Sequence, residues 1–234
     1  MSDKSNPWSS SLKTVAITVE NLAPSQGTAL SPLWFGFHDG SFAAVSQGSP
    51  ASTAIERLAE DGTTGFLTIE FSGGGAGLVQ GTVFGGSTPF NLALPGERVT
   101  LKVLLDVSRP DSLYFSYAAM VIPSNDAFIA NEDPKSHRVV DGYGRFVGAD
   151  IVVAGEDVLD AGTEVNDEAP LHAAGAGPIS IFDAGVAEKG VVHKHEGYQR
   201  GGTILSNPMW ANADFKAPNY QVARITVAEA GTTP

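Results

Sequence analysis

The chain has no cysteine, which excludes a disulfide framework, a thiolate metal centre and a cysteine nucleophile. It is also short of positive charge: 14 Lys plus Arg stand against 26 Asp plus Glu, a formal charge of -12 over 234 residues. That balance repels nucleic-acid phosphate and an anionic membrane surface, so neither is expected as a direct partner, and its ordinary role is solubility. No apolar run approaches the roughly 20 residues needed to cross a bilayer. Met1 to Ser11 lacks the apolar centre of a secretory signal and reads as a disordered tail or tag remnant. A Gly-x-Ser-x-Gly nucleophile motif is missing, and no Gly-Lys-Ser/Thr follows the glycine cluster Gly73-Gly74-Gly75-Ala76-Gly77, which therefore reads as a loop rather than a phosphate cradle.

What the sequence does contain is many short β-like segments. Thr14 to Glu20 alternates and is rich in β-branched residues, Leu33 to Phe42 is an aromatic strand turning at Asp39-Gly40, and Tyr117 to Ile122 is an unbroken apolar run stopped by Pro123. Phe66 to Phe71, Val79 to Phe84 and Arg98 to Leu105 also read as strands, with Tyr114 to Ile122 expected beside Arg98 to Leu105 across the turn at Pro110-Asp111. Later strands are predicted at Ile179 to Phe182, Val191 to His193 and Tyr220 to Val227. The one helix predicted runs from Ala51 to Asp61, with a capping box from Thr53 to Glu56 and Gly62 as its left-handed stop. Together these predict an all-β antiparallel sandwich with one short helix and long loops, a single domain over residues 12–228, and a short tail at 229–234.

Two acidic loops stand out. Ser124-Asn125-Asp126-Ala127-Phe128 follows the strand that Pro123 ends, and residues 157–168 carry five carboxylates around the single glycine Gly162. Carboxylates so crowded repel one another unless a cation or solvent offsets them, and a hard cation with oxygen ligands does so directly. The pair of loops is expected to form one calcium site. Asp126 has another use, as the cap of a helix starting at Ala127, and Asp160 and Glu164 have another, as a turn cap and a solvated charge.

The runs Pro32 to Phe42, Leu58-Ala59-Glu60-Asp61-Gly62, Pro123 to Phe128 and Asp160-Ala161-Gly162-Thr163-Glu164 resemble a bacterial spondin domain, the family of the F-spondin and mindin amino-terminal module. The resemblance implies a C2-like β-sandwich, secreted or periplasmic, that binds one Ca2+ through loops at one end. It implies adhesion or recognition of a cell-surface or matrix protein or glycan, without enzymatic activity. Matched motif by motif, its metal ligands fall on Asp126, Asp160 and Glu164. The chain departs from the animal pattern at Ala127, where that pattern has Trp, at Glu164, where it has Asp, and in having no cysteines. Three side chains do not fill a shell of about six to eight oxygens, so main-chain carbonyls, water, Asn125 or Asp167 are expected to complete it.

Rival constellations are few. His193-Lys194-His195-Glu196 places two imidazoles on one face of a strand, the spacing a small metalloenzyme would use for a transition metal, but Gln199 and Arg200 stand where a cupin's glutamate would be. A carboxylate pair for glycoside hydrolysis would want an aromatic sugar platform, for which Trp210 near Asn212 and Asp214 is the late candidate. His38 is expected to be a packed strand-end residue.

Overall fold

A computed structural model describes residues 11–86, 88–176 and 185–231. In chain order the elements are β1 (Leu12–Asn21), β2 (Ala29–Leu30), β3 (Leu33–His38), α1 (Thr53–Asp61), α2 (Gly65–Gly74), β4 (Val79–Val83), β5 (Arg98–Asp106), β6 (Tyr114–Ile122), β7 (Ala127–Ala130), β8 (Ala149–Ala154), β9 (Leu159–Asp160), β10 (His193–Lys194), α3 (Thr203–Ser206) and β11 (Gln221–Glu229). Of the predicted segments, Ile179 to Phe182 lies outside the described residues, as do most of the first tail and the end of the last.

Two antiparallel sheets result. One runs β5-β1-β11-β8; the other runs β10-β9-β7-β6-β3-β4, with β2 added against β6. Alternation builds the first: Val15, Ile17 and Val19 point inward from β1, and Ile17 sits opposite Val227 on one side and Leu101 on the other. The second sheet faces it with Phe35, Phe37, Phe115, Tyr117, Ala119 and Val121, all part of one buried cluster with the inward residues of β1, β8 and β11. The unbroken apolar run of β6 has a direct cause, for its other face is covered as well. Ala118 lies in a second cluster with Trp34, Phe128 and the α1 residues Ile55, Leu58 and Ala59, while Met120 and Ile122 lie in a third with Trp210 and Ala213.

Three expectations are corrected. The helix α1 is capped one residue earlier than the predicted box, by Ser52, whose hydroxyl accepts the Ile55 N–H at 3.3 Å; Gly62 does stop it, at φ 67°. Phe66 to Phe71 is not a strand but lies in α2. A strand would align Leu67, Ile69 and Phe71 on one face, whereas a helix aligns only Leu67 and Phe71, four apart. Those two are fully buried while Ile69 is 71% exposed. The Phe71 ring sits 4.9 Å from Phe42 and 5.4 Å from Trp34, and that aromatic packing selects the helix. With α3 the described residues hold three helices rather than one, on a fold still dominated by strands. Finally β5 and β6 are not neighbours: β5 pairs with β1, and the short 3-10 turn Pro110–Ser112 carries the chain from one sheet to the other. No helix among the described residues is long and apolar enough to cross a membrane.

Candidate cation site

The site begins where β6 ends. The Ser124 hydroxyl donates to the Val121 carbonyl at 2.6 Å and accepts the Ala127 N–H at 3.1 Å, closing a turn that holds Asp126 between two strands. Ala127 does not start a helix, since it opens β7, whose first three residues are buried, and the helix-cap use of Asp126 falls away. Strand pairing then brings the distant loop in: Ala127 lies opposite Asp160 of β9, and the Ala161 N–H donates to the Asp126 carbonyl at 3.2 Å. Two stretches 34 positions apart in sequence thus share one pole of the second sheet.

Both aspartates are fully buried. One Asp126 carboxylate oxygen, Oδ2, accepts the Thr163 N–H at 2.8 Å, the Thr163 hydroxyl at 3.1 Å and the Glu164 N–H at 3.0 Å. Its other oxygen, Oδ1, is buried and has no hydrogen-bond partner among the described residues. Asp160 takes the Gly162 N–H on Oδ1 at 2.7 Å and the Asn166 amide on Oδ2 at 2.6 Å. Glu164 is 7% exposed, and the Gly185 N–H donates to its Oε1 at 2.7 Å. Asn125 and Asp167, the expected supplements, are bonded to each other at 3.3 Å, and Asp167 also holds His172 at 2.7 Å.

This much buried negative charge perturbs its members. Burial first, and then the charge of Asp160, push the Asp126 carboxyl up to about 6 against the pull of its three donors. Burial first, with Glu60 and Asp126 adding to it against the Gly185 N–H, pushes Glu164 up to about 7. Glu60 is raised as well, chiefly by burial. Among the described residues no three His, Asp or Glu side chains form a group able to hold a metal ion as they stand. What the arrangement offers is a buried carboxylate oxygen with no hydrogen-bond partner among the described residues, next to a second buried carboxylate. An oxygen-seeking cation fits that donor set.

Gly162 makes the second loop possible. It sits at φ 66°, and a Cβ there would come within 2.6 Å of both the N and O of Val191, which are backbone atoms that cannot swing aside. Gly162→Val is therefore expected to cost about 2 kcal/mol or more, from strain at positive φ together with the clash. If Asp160 and Glu164 hold calcium, as expected from the motif, the displacement of both would also weaken its binding. Melting in chelator reads the first effect and a calcium titration the second.

Glu60 and Thr163 were not singled out from sequence. Glu60 lies near the Thr163 hydroxyl and pairs with Arg57. The available signal was its place: an acid in the last turn of a helix opposes the helix dipole and needs some other reason to be there.

The rival chemistry fares poorly on geometry. His195 accepts the Gly197 N–H on Nδ1 at 2.9 Å, so its neutral ring carries the proton on Nε2 and offers no lone pair there to a metal. His193 donates Nδ1–H to the Val191 carbonyl at 2.9 Å, and the same nitrogen lies 3.8 Å from Asp160 Oδ1, so without His195 Nε2 it has no second imidazole lone pair to share a metal with. His38 is fully buried as expected. It accepts the Gly40 N–H on Nδ1, so it donates to Ser116 and cannot serve that hydroxyl as a base. Trp210 is 6% exposed and donates to the Gly175 carbonyl, which leaves no open ring face for a sugar. Compared with models of known families and with curated proteins, the chain matches none.

Proposed function

We propose that the chain is a calcium-binding, C2-like β-sandwich module, exported from the cell and used for adhesion or recognition at a surface or matrix, with no enzymatic activity. The observation that carries the calcium-binding part of this reading is the Asp126 Oδ1 atom, buried with no hydrogen-bond partner among the described residues, beside the buried carboxylate of Asp160. Asp126 and Asp160 would hold the ion, with Glu164 as a third carboxylate and main-chain carbonyls and water filling the shell. The bound ion supplies positive charge that offsets the buried carboxylates and ties the two loops together. Calcium suits the site better than zinc or copper because the donors are hard oxygens and no thiolate exists in the chain. The spondin-like motifs around Asp126 and at Asp160 to Glu164 support the same ion, and they alone support export and a role in adhesion. The partner would be a surface or matrix protein or a glycan. The charge of -12 weighs against nucleic acid and anionic lipid.

Thermal melting tests the cation. Calcium binds the folded form, so the melting temperature should climb with its concentration, by about 2.7 kcal/mol of stability at a hundredfold excess over Kd. Chelator should reverse the gain, and magnesium, which demands a tighter octahedral shell, should give little of it. Superimposed curves in calcium and chelator would count against the reading. Retention of the labelled protein on immobilised matrix glycoproteins, present in calcium and lost in chelator, tests the recognition role.

A further inference from the structure

Beside the cation site lies a small recess, and a buried histidine lines it. It leaves about 10 Å³ for the centre of a water-sized sphere and is bounded by Ser124, Asn125, Asn166, Glu168, His195 and Tyr198, among others. That is about the room one water needs. His195 is 2% exposed, with its ring edge-on to Phe215 at 5.2 Å and Tyr198 at 6.3 Å, so it has no freedom to seek solvent. Its Nδ1 accepts the Gly197 N–H, which puts the ring proton on Nε2. Yet Nε2 has no hydrogen-bond partner among the described residues, and its approach to Asp160 Oδ2, at 4.0 Å, is too long for a direct bond. A buried N–H left unmade costs more than a kilocalorie, and a buried donor on a residue that lines a water-sized space, with Ser124, Asn125, Asn166 and Glu168 also lining it, is a setting suited to an internal water. The neighbouring wall explains what such a water would do. Asn166 gives its amide N–H to Asp160 Oδ2 at 2.6 Å, which leaves its amide oxygen as an acceptor for a water proton.

We infer that this space is a one-water site, and that the water joins His195 Nε2–H to Asn166, so that His195 is a positioning residue that holds the Asp160 carboxylate without touching the cation. The second half rests on the calcium reading above; the first half does not. Partners behind metal ligands set ligand orientation, and their loss commonly weakens metal affinity 10–100-fold.

The test has two arms. A high-resolution crystal structure of the metal-free protein should show one ordered water within hydrogen-bond distance of His195 Nε2 and Asn166; an empty space overturns the water site. In calcium titrations, His195→Phe, which removes the donor, should weaken binding 10–100-fold. His195→Gln, whose amide N–H can stand in for Nε2–H, should recover most of that loss. Melting of both variants in chelator separates this from instability, since a purely structural role would lower both melting temperatures and leave Kd in line with them. Equal Kd values for wild type and His195→Phe would overturn the positioning role. A wild type that binds no calcium would overturn the calcium reading and the positioning role with it, while the crystallographic arm would still decide the water.

Discussion

Replacing Asp126 by asparagine is expected to abolish the response to calcium and, at pH 8 in chelator, to raise the melting temperature above that of the wild type. The two effects have one source. Asp126 is a fully buried carboxylate whose Oδ1 has no hydrogen-bond partner among the described residues and whose neighbour Asp160 is also buried. An amide oxygen can keep the bonds from Thr163 and Glu164 that now reach Oδ2. The amide nitrogen then replaces the orphan oxygen with a donor and removes the repulsion from Asp160. Burial and Asp160 hold the carboxyl at about 6, some two units above its ordinary 3.8, which corresponds to about 3 kcal/mol of strain in the ionised form. For a chain of this size that is a gain of about 6–12 °C on removing the charge. A site kept for stability alone would lose stability on this change. One that is kept for a ligand gains it and loses the ligand.

The same gap between wild type and Asp126→Asn should depend on pH. A group whose folded pKa is raised above its unfolded value contributes stability that is present below the unfolded value and lost as pH rises through the folded one. For Asp126 the window runs from 3.8 up through about 6, so the wild type should fall progressively behind the variant across that interval, with the gap nearly closed at its acid end and constant well above it. Glu164, raised to about 7 from 4.5, acts with the same sign, and so does His193, whose raised value reflects the Val191 carbonyl and Asp160 acting against burial. Three other histidines oppose them. Burial lowers His38 and His195 to about 4 and lowers His137 from 6.5, so each loses stability for the fold as pH falls below that value. The metal-free wild type should therefore be most stable near pH 6.5, and the difference between the two proteins isolates Asp126 from the histidines. Calcium displaces protons from the same carboxylates, so its affinity should weaken by up to about tenfold per unit as pH drops from 7 to 6 for each proton displaced. Melting curves over this range, with and without calcium, read both trends.

The strands that face one core were legible in the sequence because alternation reports burial on one side, as in β1 and β11, and an unbroken apolar run reports burial on both, as in β6. The helix α1 was legible from its apolar stripe and Gly62. What local pattern could not decide was α2, where Phe66 to Phe71 satisfies both periods and the choice falls to aromatic packing around Trp34 and Phe42. Nor could the Pro110-Asp111 turn announce that the chain changes sheets there. Asp126, Asp160 and Glu164 came from motif likeness, and strand pairing brings their loops to one pole. The contacts that strain that pole were not legible, since Glu60, Asn166 and the orphaned Oδ1 exist only once the loops are folded together.

Calorimetric titration of chelator-stripped wild type with calcium at pH 7.5, beside Asp126→Asn, is the most direct test. One ion bound per chain by the wild type, and only heat of dilution from the variant, is the predicted result. No binding by the wild type, or the same binding by both proteins, would contradict the assignment of the buried carboxylates to a cation.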